Sequence, residues 1–307
     1  MEAKTKNLLI ILGPTSVGKS KTAIKLAKIF EGEIINCDSM QVYKGFDIGT
    51  DKVPLNERQG IAHHLLDIIP PSKQFTAADF VHLALDTAQN ILSRNKLPII
   101  VGGTGLYLKA LLDGLFPEGK SDPALRFKLR QKAAQQGLKE LWHELQKVDP
   151  VYSQKISPND QIRIIRALEV YYATQKPISE HFLKTESPVK DFHILKIGLK
   201  LKKEELYARI DKRVDKMFEK GIVTEVQNLL QSGVREDSLP FRALGYKHVL
   251  HYLRGELTLE EAVELTKRDT RHYAKRQMTW FRKMKGISWF PPHEISSIIN
   301  FIKNNLK

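Results

Sequence analysis

Residues Gly13-Pro14-Thr15-Ser16-Val17-Gly18-Lys19-Ser20 fit the pattern G-x-x-x-x-G-K-[S/T] without exception. An apolar run, Leu8 to Leu12, precedes them, and a helical pattern from Lys19 to Phe30 follows. That order commits the chain to a buried strand, a curled loop and a helix. The glycines let successive N–H groups face inward, where a phosphate meets both these donors and the positive end of the helix dipole. Lys19 then places a point charge on the terminal phosphates, and Ser20 offers a hydroxyl to Mg²⁺. A chance glycine turn is the alternative, and the strand and helix on either side argue against it. The motif specifies a polyphosphate or pyrophosphate without saying which.

The remainder of the first part repeats the alternation. Glu33 to Cys37 and Pro98 to Val101 read as buried strands, Phe75 to Asn95 as a helix with Thr76 as N-cap, and Leu106 to Leu112 as another helix. Strands alternating with helices predict a parallel sheet covered on both faces. From Asp122 to Tyr172 the strand signals stop, and helices are expected over Ala124 to Gln136, Leu138 to Gln146 and Gln161 to Thr174. The alternating run Phe192 to Leu199 then returns to the sheet, followed by helices over Lys203 to Lys220, Val223 to Ser232 and Leu259 to Met284. The expected architecture is α/β, a P-loop NTPase-like parallel sheet flanked by helices, with an α-helical insertion domain. Its parts are a core over 1–115, the insertion over 116–190, and a return to the core with basic C-terminal helices over 191–307.

Strand ends locate the candidate chemistry. Asp38 follows the second strand, and in a parallel sheet it shares a crevice with the loop after strand one. A carboxylate there can take a proton from an acceptor or bind Mg²⁺ through water; equally, Asp-Ser commonly caps a turn. Gly102-Gly103-Thr104-Gly105 forms a second glycine turn at the same edge, anion-friendly in position but also a common tight connection. Leu65-Leu66-Asp67-Ile68 could end a short strand with a carboxylate near Mg²⁺. His63 and His64, adjacent on an extended segment, point to opposite faces and cannot share a metal, so they are read as structural or as polar groups of the pocket.

Composition narrows the partner. The chain of 307 residues has 49 Lys and Arg against 35 Asp and Glu, a net +14. Residues 1–115 hold 13 basic against 11 acidic side chains, leaving 36 against 24 for the remainder. A surplus concentrated after residue 115 suits a polyanion, with nucleic acid the leading candidate and a merely soluble basic surface the alternative. Eight of the cations lie between Lys267 and Lys285, with Asp269 the single acid. Arg268, Arg271, Lys275 and Arg282 are expected on one helical face, with Tyr273, Trp280, Phe281 and Met284 packing the helix onto the core. The apolar runs are too short to span a membrane, no signal peptide is evident, and the single cysteine, Cys37, excludes an internal disulfide and a cysteine zinc site. A cytoplasmic, monomeric protein is expected.

These motifs together resemble the bacterial tRNA dimethylallyltransferases, also called tRNA isopentenyltransferases. The resemblance is carried by Gly13 to Ser20, Asp38 to Thr50, His63 to Ile68, Phe75 to Phe80, Val101 to Tyr107, Asp149-Pro150, Pro158 to Asp160, Arg163 to Val170, Gly245 to Lys247 and Thr270 to Arg282. It implies transfer of a dimethylallyl group from dimethylallyl pyrophosphate to N6 of the adenine just 3′ of the anticodon, with Mg²⁺ as cofactor. It further implies pyrophosphate contacts from Gly13, Pro14, Thr15, Ser16, Val17, Gly18, Lys19 and Ser20, and catalytic roles for Asp38, Thr104 and Arg126. Contacts to the tRNA anticodon stem-loop are implied for Asp38, Ser39, Met40 and Gln41, for Ile162, Arg163, Ile164, Ile165 and Arg166, and for Arg242, Lys247, Lys275, Arg276 and Arg282. Met40 departs from the polar or small residue often found after Asp-Ser in this family. A P-loop small-molecule kinase, an adenylate isopentenyltransferase and a non-catalytic RNA-binding module are the rivals; none needs both the phosphate loop and the extended basic surface.

Overall fold

The computed structural model describes residues 5–115 and 122–307. The chain divides into two compact units, one formed by the chain up to Lys109 together with Asp191–Lys307, the other by Ala110–Lys190. The expected boundary between residues 115 and 116 abuts positions 116–121, which lie outside the described residues.

In the first unit the sheet is built from β1 (Lys6–Leu12), β2 (Gly32–Cys37), β3 (His63–His64), β4 (Leu97–Gly102), β5 (Phe192–Leu199) and β6 (Ile287–Phe290). Its order is β3-β2-β4-β1-β5-β6, and every pairing is parallel. Five consecutive buried apolar residues, Leu8 to Leu12, make β1 a central strand covered on both faces. The crossovers on the N-terminal side are α1 (Lys19–Ile29), α2 (Ala77–Ser93) and α3 (Gly105–Asp113). Thr76 and Asp79 exchange hydrogen bonds as a capping box at the start of α2, as the expected N-cap requires.

The second unit contains α4 (Pro123–Gln136), α5 (Leu138–Val148), α6 (Pro150–Ser153), α7 (Gln161–Thr174) and α8 (Ile178–Leu183). Leu129, Leu141, Leu145, Ile164, Ile165 and Leu168 form its core. After β5 the chain adds α9 (Lys203–Glu219), α10 (Ile222–Gln231), α11 (Tyr246–Leu253), α12 (Leu259–Phe281) and α13 (Ile295–Asn305) to the first unit. Two ion pairs, Arg271 to Asp211 and Lys267 to Asp215, join α12 to α9.

One local expectation is corrected. Leu65 to Ile68 do not form a strand: the strand is His63–His64, and Leu65 and Asp67 adopt left-handed backbone with φ of 60° and 54°. Asp67 is ion-paired with Lys52, which also binds Asp47, so its carboxylate is taken up in fixing this loop rather than offered to a metal.

Candidate active site

Parallel pairing brings the loops after β1, β2 and β4 to one edge. Because β4 lies between β1 and β2, the phosphate loop and Asp38 are two strand spacings apart, about 10 Å. The Gly102-to-Gly105 turn occupies the interval. This closeness depends on Gly102, where an added Cβ would fall 2.0 Å from the carbonyl oxygen of Cys37.

A cavity of about 580 Å³ opens at this edge, lined among others by Ser16, Lys19, Ser20, Asp38, Gln41 and Gly103. The phosphate loop turns through left-handed backbone at Ser16 and Gly18, with φ of 63° and 105°. At Gly13 any side chain would strike the Leu199 carbonyl at 2.6 Å, so glycine is required there. Val17 is buried beneath the loop, and the Lys19 amine donates to the Pro14 carbonyl at 2.8 Å. Burial lowers the Lys19 ammonium to about 8; the Asp38 carboxylate opposes that shift, and the positive charge of Arg213 adds to it.

Asp38 both caps a turn and faces the cavity. Its Oδ1 accepts from the backbone N–H groups of Met40 at 2.8 Å and Gln41 at 3.4 Å. Its Oδ2 has no hydrogen-bond partner among the described residues. The Ser39 N–H donates to Thr104 Oγ1 at 3.2 Å, and the Gln41 amide donates to the Thr50 carbonyl at 2.9 Å. Tyr273 of α12 also lines the cavity, and its phenol is pushed up by burial and by the nearby Asp38 charge. His63 lines the cavity while its Nδ1 bonds the Ile61 carbonyl, and His64 instead meets the buried Glu33, so the adjacent histidines do part company.

Several site residues escaped the sequence reading. Arg209, Lys212, Arg213 and Lys216 line the cavity from α9. Their i, i+3, i+4, i+7 spacing is a visible basic stripe that could have been read directly. Arg213 reaches Thr15 Oγ1 of the phosphate loop and Asp51. Gln277 of α12 takes the Thr15 N–H at 2.8 Å and donates to the Gly103 carbonyl at 2.9 Å.

The remaining predicted residues are distributed over other elements. Arg126 of α4 and Arg166 of α7 both bind the fully buried carboxylate of Glu169, at 2.9 Å each. Arg163 pairs with Asp160 at 3.4 Å, and Ile162 is 82% exposed. Ile164 and Ile165 are buried among the helices of their unit, so they cannot be the surface contacts expected of them; that segment offers only Ile162, Arg163 and Arg166. Lys247 is tied to Asp269 at 3.0 Å, and Arg242 is exposed beside a smaller cleft shared with Lys73 and Arg235. On α12, Lys267, Arg268 and Arg271 are engaged by carboxylates, which breaks up the single cationic face expected there. Lys275, Arg276 and Arg282 are exposed with no ion pair among the described residues.

An all-parallel sheet with a phosphate loop at its C-terminal edge, facing a carboxylate turn, defines a phosphate-loop α/β protein equipped for group transfer. Residues 41–284 match the IPP transferase family model. The chain is 48% identical over 299 residues to the tRNA dimethylallyltransferase of Acetivibrio thermocellus, covering 97% of this chain and 96% of that one. The full-length tRNA isopentenylpyrophosphate transferase of Bacillus halodurans superposes with a TM-score of 0.73 at 40% identity, covering 98% of this chain and 97% of that one. A eukaryotic dimethylallyltransferase, captured acting on tRNA, superposes with a TM-score of 0.84 at 34% identity, covering 98% of this chain and 81% of that one. The chain belongs to the IPP transferase family.

Proposed function

We propose that this protein transfers the dimethylallyl group of dimethylallyl pyrophosphate to N6 of the adenine 3′ of the anticodon in tRNA, releasing pyrophosphate. The observation that carries the reading is the single cavity in which Lys19, the inward-facing phosphate loop and Asp38 meet. The allylic C–O bond breaks readily when the carbon delocalises positive charge and the departing pyrophosphate is neutralised. Loop N–H groups and Lys19 supply that neutralisation from one side, Arg209, Lys212, Arg213 and Lys216 from the other. As the C–N bond forms, N6 becomes acidic and Asp38 accepts its proton through Oδ2, leaving neutral N6-(dimethylallyl)adenosine. Thr104 fixes the Asp38 turn by holding the Ser39 N–H.

The donor set also suits Mg²⁺: Ser20 and Asp38 offer hard oxygens to the same cavity, and Mg²⁺ commonly takes its other ligands from phosphate and water. Bound there beside Ser20, it would add charge neutralisation to the leaving group. For tRNA, Lys275, Arg276 and Arg282 present exposed cations with no carboxylate partner among the described residues, Arg242 and the Ile162, Arg163 and Arg166 surface further contacts, and Arg126 a guanidinium held by Glu169. An anticodon-loop adenine must be splayed out of its stack to enter such a cavity. Among the described residues no helix is long and apolar enough to cross a membrane.

The test incubates the protein with Mg²⁺, tRNA and either dimethylallyl pyrophosphate or ATP, then digests the tRNA and identifies its nucleosides by mass spectrometry. N6-(dimethylallyl)adenosine should form only with the prenyl donor. Its absence with that donor, or a modified nucleoside with ATP alone, overturns the reading.

A further inference from the structure

Gln277 directly follows the exposed cations Lys275 and Arg276 on α12, yet it is 5% exposed and faces the sheet edge. Tyr273, Gln277 and Trp280 recur at i, i+4 and i+7, hence on one face of α12. Each meets the site: Tyr273 lines the cavity, Trp280 packs on Gly105, and Gln277 touches two loops at once. Its Oε1 accepts from Thr15 N at 2.8 Å, and its Nε2 donates to the Gly103 carbonyl at 2.9 Å. A Cβ on Gly103 would lie 2.2 Å from that Nε2, so the missing side chain is what admits the amide. The next residue, Thr104, holds the Ser39 N–H beside Asp38.

We infer that Gln277 is a positioning residue that sets the separation between the pyrophosphate site and Asp38, an inference that rests on the proposed prenyl transfer. Only an amide serves both loops. A carboxylate would set lone pairs against the Gly103 carbonyl, and an alkyl chain would leave a buried donor and a buried acceptor unpaired. By consuming the Thr15 N–H, Gln277 also leaves the loop donors from Ser16 onward for the leaving group.

The test compares wild type with Gln277→Met, which has similar length and neither hydrogen bond, and with Gln277→Glu, which keeps only the acceptor. Three quantities are measured on the full chain: steady-state transfer, pyrophosphate affinity by calorimetry with Mg²⁺, and tRNA affinity by filter binding. Gln277→Met should weaken pyrophosphate about tenfold and lower kcat about 100-fold, with tRNA affinity and thermal midpoint near wild type. Gln277→Glu should remain impaired in kcat. Wild-type kcat and pyrophosphate affinity in Gln277→Met overturn the inference, as does full activity in Gln277→Glu. A parallel fall in tRNA affinity and thermal midpoint overturns it too, reducing Gln277 to a support of α12. Should wild type fail to prenylate tRNA, the proposed function falls while the pyrophosphate titration still decides the role of Gln277.

Discussion

Asp38 divides its two oxygens between architecture and chemistry. Oδ1 is engaged by the N–H groups of Met40 and Gln41, which holds the carboxylate in one orientation and directs Oδ2 to other work. The cap and the base, which compete as readings of Asp-Ser in sequence, are therefore compatible in one side chain. Asp38→Ala should lower kcat by about 10²–10⁴, the range for a lost general base, with tRNA affinity little changed in a filter-binding assay. Lys19 makes a second prediction through its depressed ammonium. The group is charged below about pH 8 in the free protein and neutral above it. Pyrophosphate affinity should therefore fall as pH rises through 8, as calorimetry at several pH values can follow. Stability runs the other way: between about 8 and the usual 10.5 the unfolded chain holds a proton that the folded chain has shed, so this group favours folding more as pH rises across that window.

At the scale of elements, the ends of β2 and β4 are held together by the absence of a side chain. Gly102→Ala would drive a methyl to 2.0 Å from the Cys37 carbonyl oxygen, a backbone atom and not the end of a flexible side chain. It should cost about 3 kcal/mol, read as a lowered urea midpoint, because strands in register cannot part locally. Elements such as β1, α1 and α2 were legible in sequence because their signals are local: an apolar run, a glycine loop, a capping pair. The α-helical segments from Ala124 onward were legible by the same period. What failed was Leu65 to Ile68, where apolar character suggested a strand and left-handed backbone at Leu65 and Asp67 prevents one. In the site, the phosphate loop announces its chemistry in eight adjacent letters. Gln277 could not be read, because its partners are backbone groups 262 and 174 residues away, made adjacent only by folding. The α9 stripe was readable and stands as a missed periodicity.

For the whole molecule, net charge overstates the surface available to RNA. Carboxylates on α9 and α12 absorb Lys267, Arg268 and Arg271, and Asp269 also takes Lys247. Replacing Lys275 and Arg276 together by Ala should reduce the slope of log affinity against log salt by about 1.5 to 2, since two free phosphate contacts are lost. Arg271→Ala should alter the slope far less, its charge being already matched. A final consequence follows from the pairing of Leu9 with Leu195 in the centre of the sheet. On the ribosome, β1 emerges early but gains its β5 neighbour only after the whole helical unit has been synthesised. That unit completes its own core from contacts within Ala110–Lys190. The residues of the helical unit are thus all available to one another before β1 can meet β5, and the β1–β5 pairing carries the loop-closure cost of the whole intervening chain.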